Sequence, residues 1–139
     1  MYNKEGYYSP TEFEALSRIR HIEKEAQKRQ AHRPIVYICS PYAGDTNQNI
    51  ENARKYSRYA VDNGYLPITP HIYFTQFMDD CDPKERKTAL FMNNVLLSRC
   101  KELWVFGTVI SKGMKAEIKL AKKKRIKIRY FTDEMRETT

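Results

Sequence analysis

The chain has 139 residues and a mass of 16.5 kDa, the size of a single domain, since about 100–200 residues per domain is usual. With 41% hydrophobic and 30% charged residues, it can bury a core and lies outside the compositional range of disordered chains. Of its 25 Lys and Arg, nine fall between Lys112 and Arg129 beside one of the 17 acids, so this C-terminal segment carries the whole net charge of +8.

No apolar run approaches the roughly 18–20 residues that span a bilayer. The first thirty residues carry charges throughout and contain no apolar signal-peptide core, so a cytoplasmic protein with no membrane partner is expected. Cys39, Cys81 and Cys100 make an odd number without C-x-x-C spacing, which points to buried small apolar residues rather than to a disulfide framework or a zinc site. His21, His32 and His71 are not in ligand spacing, and neither a metal nor a cofactor is expected.

In chain order, residues 1–33 read as an N-terminal arm and an amphipathic helix. Ser9-Pro10-Thr11-Glu12 is a capping box, and Phe13, Leu16, Ile19 and Ile22 form one apolar stripe on a helix running to about Arg29. Its simplest role is packing on a core or on a second subunit. Pro34 begins the α/β domain, 34–139. Ile35-Val36-Tyr37-Ile38-Cys39 is a continuous apolar run, the mark of a strand covered on both faces. The turn-rich Ser40-Pro41-Tyr42-Ala43-Gly44-Asp45 follows. A helix is expected from about Asn47 to Asn63, with Ala53, Tyr56, Ala60 and Val61 inward and Gly64 as its stop.

A second strand, Tyr65–Ile68, leaves Thr69-Pro70-His71 at its carboxyl end, and Ile72 to Pro83 reads as a long loop carrying Asp79, Asp80 and Asp82. A helix from Pro83 to Arg99 leads to a third strand, Glu102–Phe106. Gly107 to Lys112 is a loop, Gly113–Lys124 a helix and Ile126–Phe131 a fourth strand. Strands alternating with helical crossovers imply a parallel sheet in a compact α/β sandwich. Ligands in such folds bind at the carboxyl ends of the strands where strand order reverses, which gathers the loops after Cys39, Ile68 and Phe106 around one site.

Those loops hold neither G-x-G-x-x-G nor a Walker lysine motif, so dinucleotide dehydrogenases and P-loop kinases are disfavoured. Ser111, Gly113 and Met114 open a helix whose unpaired N–H groups suit a phosphate or carboxylate; an ordinary Ser N-cap accounts for them equally well. Glu117, the single acid of the basic segment, sits near the first turn of that helix. It is read either as a nucleophile or base, kept ionised by the helix dipole, or as a solvated partner of nearby lysines.

The Val36–Tyr42 run, Pro70-His71, Cys100–Gly107 and Ser111-x-Gly113-Met114-x-x-Glu117 together resemble the nucleoside 2-deoxyribosyltransferase-like superfamily, most of all its small phage and bacterial branch of the DUF4406 and DUF7768 type. The resemblance runs from about Ile35 to Tyr130. It implies a three-layer flavodoxin-like (Rossmann-like) sandwich with four to five strands, to which the N-terminal helix is an addition. It further implies cleavage or transfer at the N-glycosidic bond of a deoxynucleoside or its 5′-monophosphate, by an N-glycosidase (hydrolase) or a transferase. Glu117 falls on the family's nucleophile, Tyr37 on the tyrosine that orients it, and Ser111 and Gly113 on the loop that receives a 5′-phosphate. The family's enzymes commonly form homo-oligomers, so at least a dimer is expected.

One position departs from the pattern. Where the enzymes carry an Asp eight residues before the position of Lys101, this chain has Asn93, which hydrogen-bonds but cannot donate a proton as an acid. His71, Asp79 and Asp80 are the available substitutes. His71 titrates near neutrality in its ordinary state, and the two Asp can bind sugar hydroxyls or cap the loop. Arg86 suits either Asp or a substrate phosphate. Tyr42 suits base stacking, Pro41, Gly44 and Gly107 of the ligand-facing loops are expected to bind substrate, and Trp104 reads as core. Two other functions compete with glycosyl transfer. One is a non-catalytic nucleotide-binding or sensing module. The other is a basic nucleic-acid accessory protein using Lys122-Lys123-Lys124-Arg125, which is less favoured because helix-end lysines also complement the dipole.

Overall fold

The computed structural model describes residues 10–138. The chain divides at Arg33/Pro34 into two units. The first contains the helix α1 (Pro10–Ala31); Ser9, its expected cap, lies outside the described residues.

The second unit is an α/β sandwich. Its elements are β1 (Ile35–Cys39), α2 (Thr46–Asp62), β2 (Leu66–Ile68), α3 (Pro70–Tyr73) with a 3-10 turn at Phe74–Gln76, α4 (Pro83–Ser98), β3 (Glu102–Phe106), α5 (Lys112–Lys123), β4 (Lys127–Phe131) and β5 (Glu137–Thr138). The sheet order is β2-β1-β3-β4-β5. Neighbours are parallel except β4 and β5, which pair antiparallel through Tyr130 with Thr138 and Phe131 with Glu137. This is the flavodoxin-like arrangement, with strand order reversing between β1 and β3.

The continuous apolar strands follow from burial on both faces. Val36 and Ile38 of β1 join Trp104, Phe106 and Phe131 in one cluster, covered by Tyr56 and Ala60 of α2. Tyr37 and Cys39 point the other way and join Leu103 and Val105 under Leu97 of α4 and Met114 and Ala121 of α5. Alternation along each strand thus splits the core into two layers.

Two expectations need correction, and a fifth strand joins the four read in chain order, within the four to five expected. The segment after β2 is not wholly a loop: Pro70 supplies a preset first-turn φ, and the chain turns through α3 and the 3-10 turn before reaching α4. The short β5 gives no hydrophobic period to read; it is held by Arg129, whose Nε and Nη2 donate to the two carboxylate oxygens of Glu137 at 2.8 and 2.7 Å. Cys81 is exposed, while Cys39 and Cys100 are buried as expected, because Cys81 falls in the polar turn before α4 rather than on a covered face. Among the described residues no helix is long and apolar enough to cross a membrane.

Candidate functional site

The site begins at the carboxyl end of β1. The chain leaves the sheet at Ser40 and is shaped by Asn49, whose Nδ2 donates to the carbonyls of Tyr42 at 2.9 Å and Ala43 at 3.0 Å. Asp45 then caps α2 by accepting from the Gln48 N–H at 3.2 Å. On the neighbouring strand, α3 brings His71 back over this turn. His71 Nε2 lies 3.2 Å from the Ser40 carbonyl, and the imidazole stacks on Tyr42 with centroids 5.0 Å apart. A carbonyl only accepts, so Nε2 carries the proton and Nδ1 is left as an acceptor. Burial pushes the His71 pKa below its usual range, against smaller opposite effects of the Ser40 carbonyl and Asp80. His71 is therefore neutral at neutral pH, an acceptor rather than the proton donor its ordinary pKa suggests.

Beyond β3, Ser111 caps α5 by accepting from the Met114 N–H at 3.3 Å. One turn in, Glu117 points inward. A cavity of about 270 Å³ opens here, lined by Ser40, Tyr42, His71, Thr75, Asp80, Arg86, Asn93, Ser111, Lys112, Gly113, Met114 and Glu117, with Phe74, Ala89 and Leu90 among its apolar walls.

Four buried polar atoms lack a hydrogen-bond partner among the described residues: Tyr37 Oη, Ser40 Oγ, Asn93 Oδ1 and Glu117 Oε2. Ser40 is 2% and Asn93 9% exposed. Buried polar groups are ordinarily paired, and leaving one unpaired costs about 1–3 kcal/mol. Three of the four belong to cavity-lining residues and the fourth lies beneath Glu117, an arrangement suited to a polar ligand. Burial pushes the Glu117 carboxyl up to about 7, while the Cys39 thiol and the Tyr37 phenol pull it back down. The phenol stands close enough to bear on the carboxylate, but neither Tyr37 Oη nor Glu117 Oε2 completes an aligned hydrogen bond. The Tyr37 pKa is driven well up, first by burial and then by the Glu117 charge, so the phenol stays protonated as a donor.

The family model described as "Domain of unknown function (DUF7768)" matches residues 34–131. The chain belongs to the DUF7768 family. The family match begins at the start of the second unit and ends with β4. No curated protein sequence matches the chain. Among solved structures, a 2-deoxyribosyltransferase from Bacillus psychrosaccharolyticus is similar with a TM-score of 0.60 at 12% identity, covering 70% of this chain and 72% of that one. A 2-deoxyribosyltransferase from Leishmania mexicana is similar with a TM-score of 0.51 at 13% identity, covering 71% of this chain; the DUF7768 chain spans 64% of that protein's length. At such identities the likeness is one of fold.

Of the residues singled out in the DUF7768 sequence, those of α5, His71, Asp80, Arg86, Asn93, Ser40 and Tyr42 come together at the cavity. Pro41, Gly44, Asp79 and Gly107 do not line it. Asp79 is occupied locally, its Oδ1 accepting from the Cys81 N–H at 2.9 Å. Gly44 has φ +97° and its carbonyl accepts from the Thr46 N–H at 2.9 Å where α2 starts, so its role is conformational. Gly107 has φ +101°, and a Cβ there would come within 2.9 Å of Asp133 Oδ1; it lets the chain leave β3 toward α5. Sequence reasoning missed Lys112, Thr75 and Ala89. Ala89 was accessible from the spacing Arg86, Ala89, Asn93, which is one stripe of a helix.

Proposed function

We propose that this protein cleaves or transfers at the N-glycosidic bond of a deoxynucleoside or its 5′-monophosphate, with Glu117 as nucleophile. The observation that carries the reading is the Glu117 carboxylate, turned in at the sheet's switch point above Tyr37 and into a cavity with unpartnered Ser40 and Asn93 side chains. The fold shared with 2-deoxyribosyltransferases supports it.

In the proposed reaction a Glu117 oxygen attacks the anomeric carbon as the carbon–nitrogen bond breaks. The base leaves with that electron pair and takes a proton from solvent. The glycosyl-enzyme is then opened by water or by a second base, which loses a proton as the carboxylate is regenerated. Neutral His71, held through Nε2 by Ser40, has its Nδ1 lone pair to receive that proton. Asn93 hydrogen-bonds to the sugar or the base. A 5′-phosphate suits the α5 N-terminus at Ser111, Gly113 and Met114, flanked by Lys112 and Arg86. Tyr42 offers a stacking face for the base.

The test is incubation with a panel of deoxynucleosides and their monophosphates, following free base by chromatography. Base release by the wild type that falls at least about a thousandfold in Glu117→Ala is expected, since loss of a covalent nucleophile removes the intermediate. Undiminished release in the variant would remove the proposed nucleophile. One observation favours a second reading. The neutral amide of Asn93 stands where an acid is expected, so ligand binding by calorimetry without base release across the panel would mark a nucleotide-binding module.

A further inference from the structure

Asn49 stands in the first turn of α2, and all of its N–H groups go to the turn that leaves β1. Its backbone N–H donates to the Asp45 carbonyl at 2.9 Å. Its Nδ2 donates to the carbonyls of Tyr42 at 2.9 Å and Ala43 at 3.0 Å. A primary amide supplies two donors from one nitrogen, whereas a carboxylate of the same shape supplies none. The turn is thereby held at two successive carbonyls, and Tyr42 is held with it, its ring stacked on His71 at 15° with centroids 5.0 Å apart. His71 is tied to the same helix. Thr69, the N-cap residue of α3, makes no side-chain cap bond; its hydroxyl lies 2.6 Å from Ser57 Oγ of α2. Ser57 gives its own proton to the Ala53 carbonyl at 2.8 Å, so Thr69 is the donor of the pair. One helix thus places both members of an aromatic pair that lines the cavity, while Asn49 itself does not line it.

We propose that Asn49 is a positioning residue for substrate binding, holding Tyr42 against His71 as a platform on which the base of a deoxynucleoside stacks. This rests on the reading of the cavity as a nucleoside site. Every base has a π-face whatever its hydrogen-bonding edge, so such a platform serves purines and pyrimidines alike. Rings already stacked before the ligand arrives lose little side-chain freedom on binding. Asn49 acts through Tyr42 and belongs to α2, whereas Glu117 belongs to α5. Its loss therefore weakens affinity and leaves the chemical step alone.

The full chain carrying Asn49→Asp is compared with the wild type in base release from deoxynucleosides, in their binding by calorimetry, and in the NMR signals of the Tyr42 and His71 rings without ligand. An acid in the first turn complements the helix dipole, so α2 tolerates the change while the turn loses its two donors. The ring signals are expected to move, and KM to rise about tenfold with kcat within about twofold. Tyr42→Ala is expected to raise KM about tenfold, and adding Asn49→Asp to it to change KM by no more than about twofold, since a residue acting through Tyr42 has nothing left to place. If Asn49→Asp fails to fold, Asn49→Ala carries the same expectations. Unmoved ring signals, or two tenfold effects that multiply in the double variant, would overturn the proposal. Calorimetry needs no turnover. Wild-type binding without base release, with the same pattern in Kd, upholds the platform and overturns the reaction assigned to Glu117. Base release with a KM that Asn49→Asp leaves unmoved overturns the platform and not that reaction. A wild type that neither binds nor releases base overturns both.

Discussion

Glu117 is a carboxylate whose position is opposed by its own solvation. Its pKa of about 7 in the folded protein against an ordinary 4.5 means that the folded state holds the proton through a range where the unfolded chain has released it. Stability therefore falls as pH rises from about 4.5 to 7 and is flat above. Glu117→Gln removes the charge and keeps the shape. It is expected to stabilise the protein by up to about 3 kcal/mol above pH 7, from 1.36 kcal/mol per pKa unit, and by nothing below pH 4. Urea denaturation at pH 4, 6 and 8 checks this, and a gain independent of pH would show that the side chain is not buried as a charge. In the proposed reaction the same group sets the rate profile: only the ionised carboxylate attacks, so base release is expected to climb through about pH 7 in the free protein. An acid limb centred near 4.5 would contradict the burial of Oε2.

At the scale of elements, legibility tracked length and coverage. β1 and β3 were visible because five consecutive residues in β1 and four in β3 carry apolar side chains on both faces, and α2, α4 and α5 because they span three turns or more with caps at Asp45, Asp82 and Ser111. α3 was hidden because four residues cannot show a 3.6-residue period. β5 was hidden because its stability comes from a side chain of β4. Arg129 pairs both oxygens of Glu137 and lies over the Trp104 ring at 4.9 Å and the Phe131 ring at 5.4 Å, with Glu102 at 3.5 Å. A planar guanidinium that is at once forked onto a carboxylate and stacked on aromatic rings has no equivalent in Lys. Arg129→Lys is expected to cost about 1–2 kcal/mol and Arg129→Ala about 2–3 kcal/mol, with faster amide exchange in β5 than in β1. Equal stability of the Lys variant and the wild type would reduce the contact to a plain surface ion pair.

At the scale of the whole molecule, the site was legible as far as topology dictates it. Loops following β1, β2 and β3 meet at the switch point, which places Ser40, His71 and Ser111 together without knowledge of any side chain. What the residue pattern alone concealed was which helix covers which strand face; the pairing of Glu117 with Tyr37 was expected only through the family resemblance. The basic run at Lys122–Arg125 lies at the far end of α5, roughly 18 Å of helix from the cavity mouth, as a solvated face would. A homo-oligomer is a proposal at this same scale, and an apolar groove of about 630 Å³ supports it. The groove runs along edge strand β2 between α3 and α4, lined by Pro67, Ile68, Tyr73, Phe74, Phe91 and Val95. Tyr73 is 65% and Phe91 68% exposed, and contiguous apolar patches of this kind on an open sheet edge favour association. Light scattering is expected to give particles of at least twice 16.5 kDa, and Phe91→Glu, which places a charge in the groove, is expected to halve the mass while leaving the circular dichroism spectrum unchanged. Monomers in the wild type at every concentration would leave the groove without a second copy.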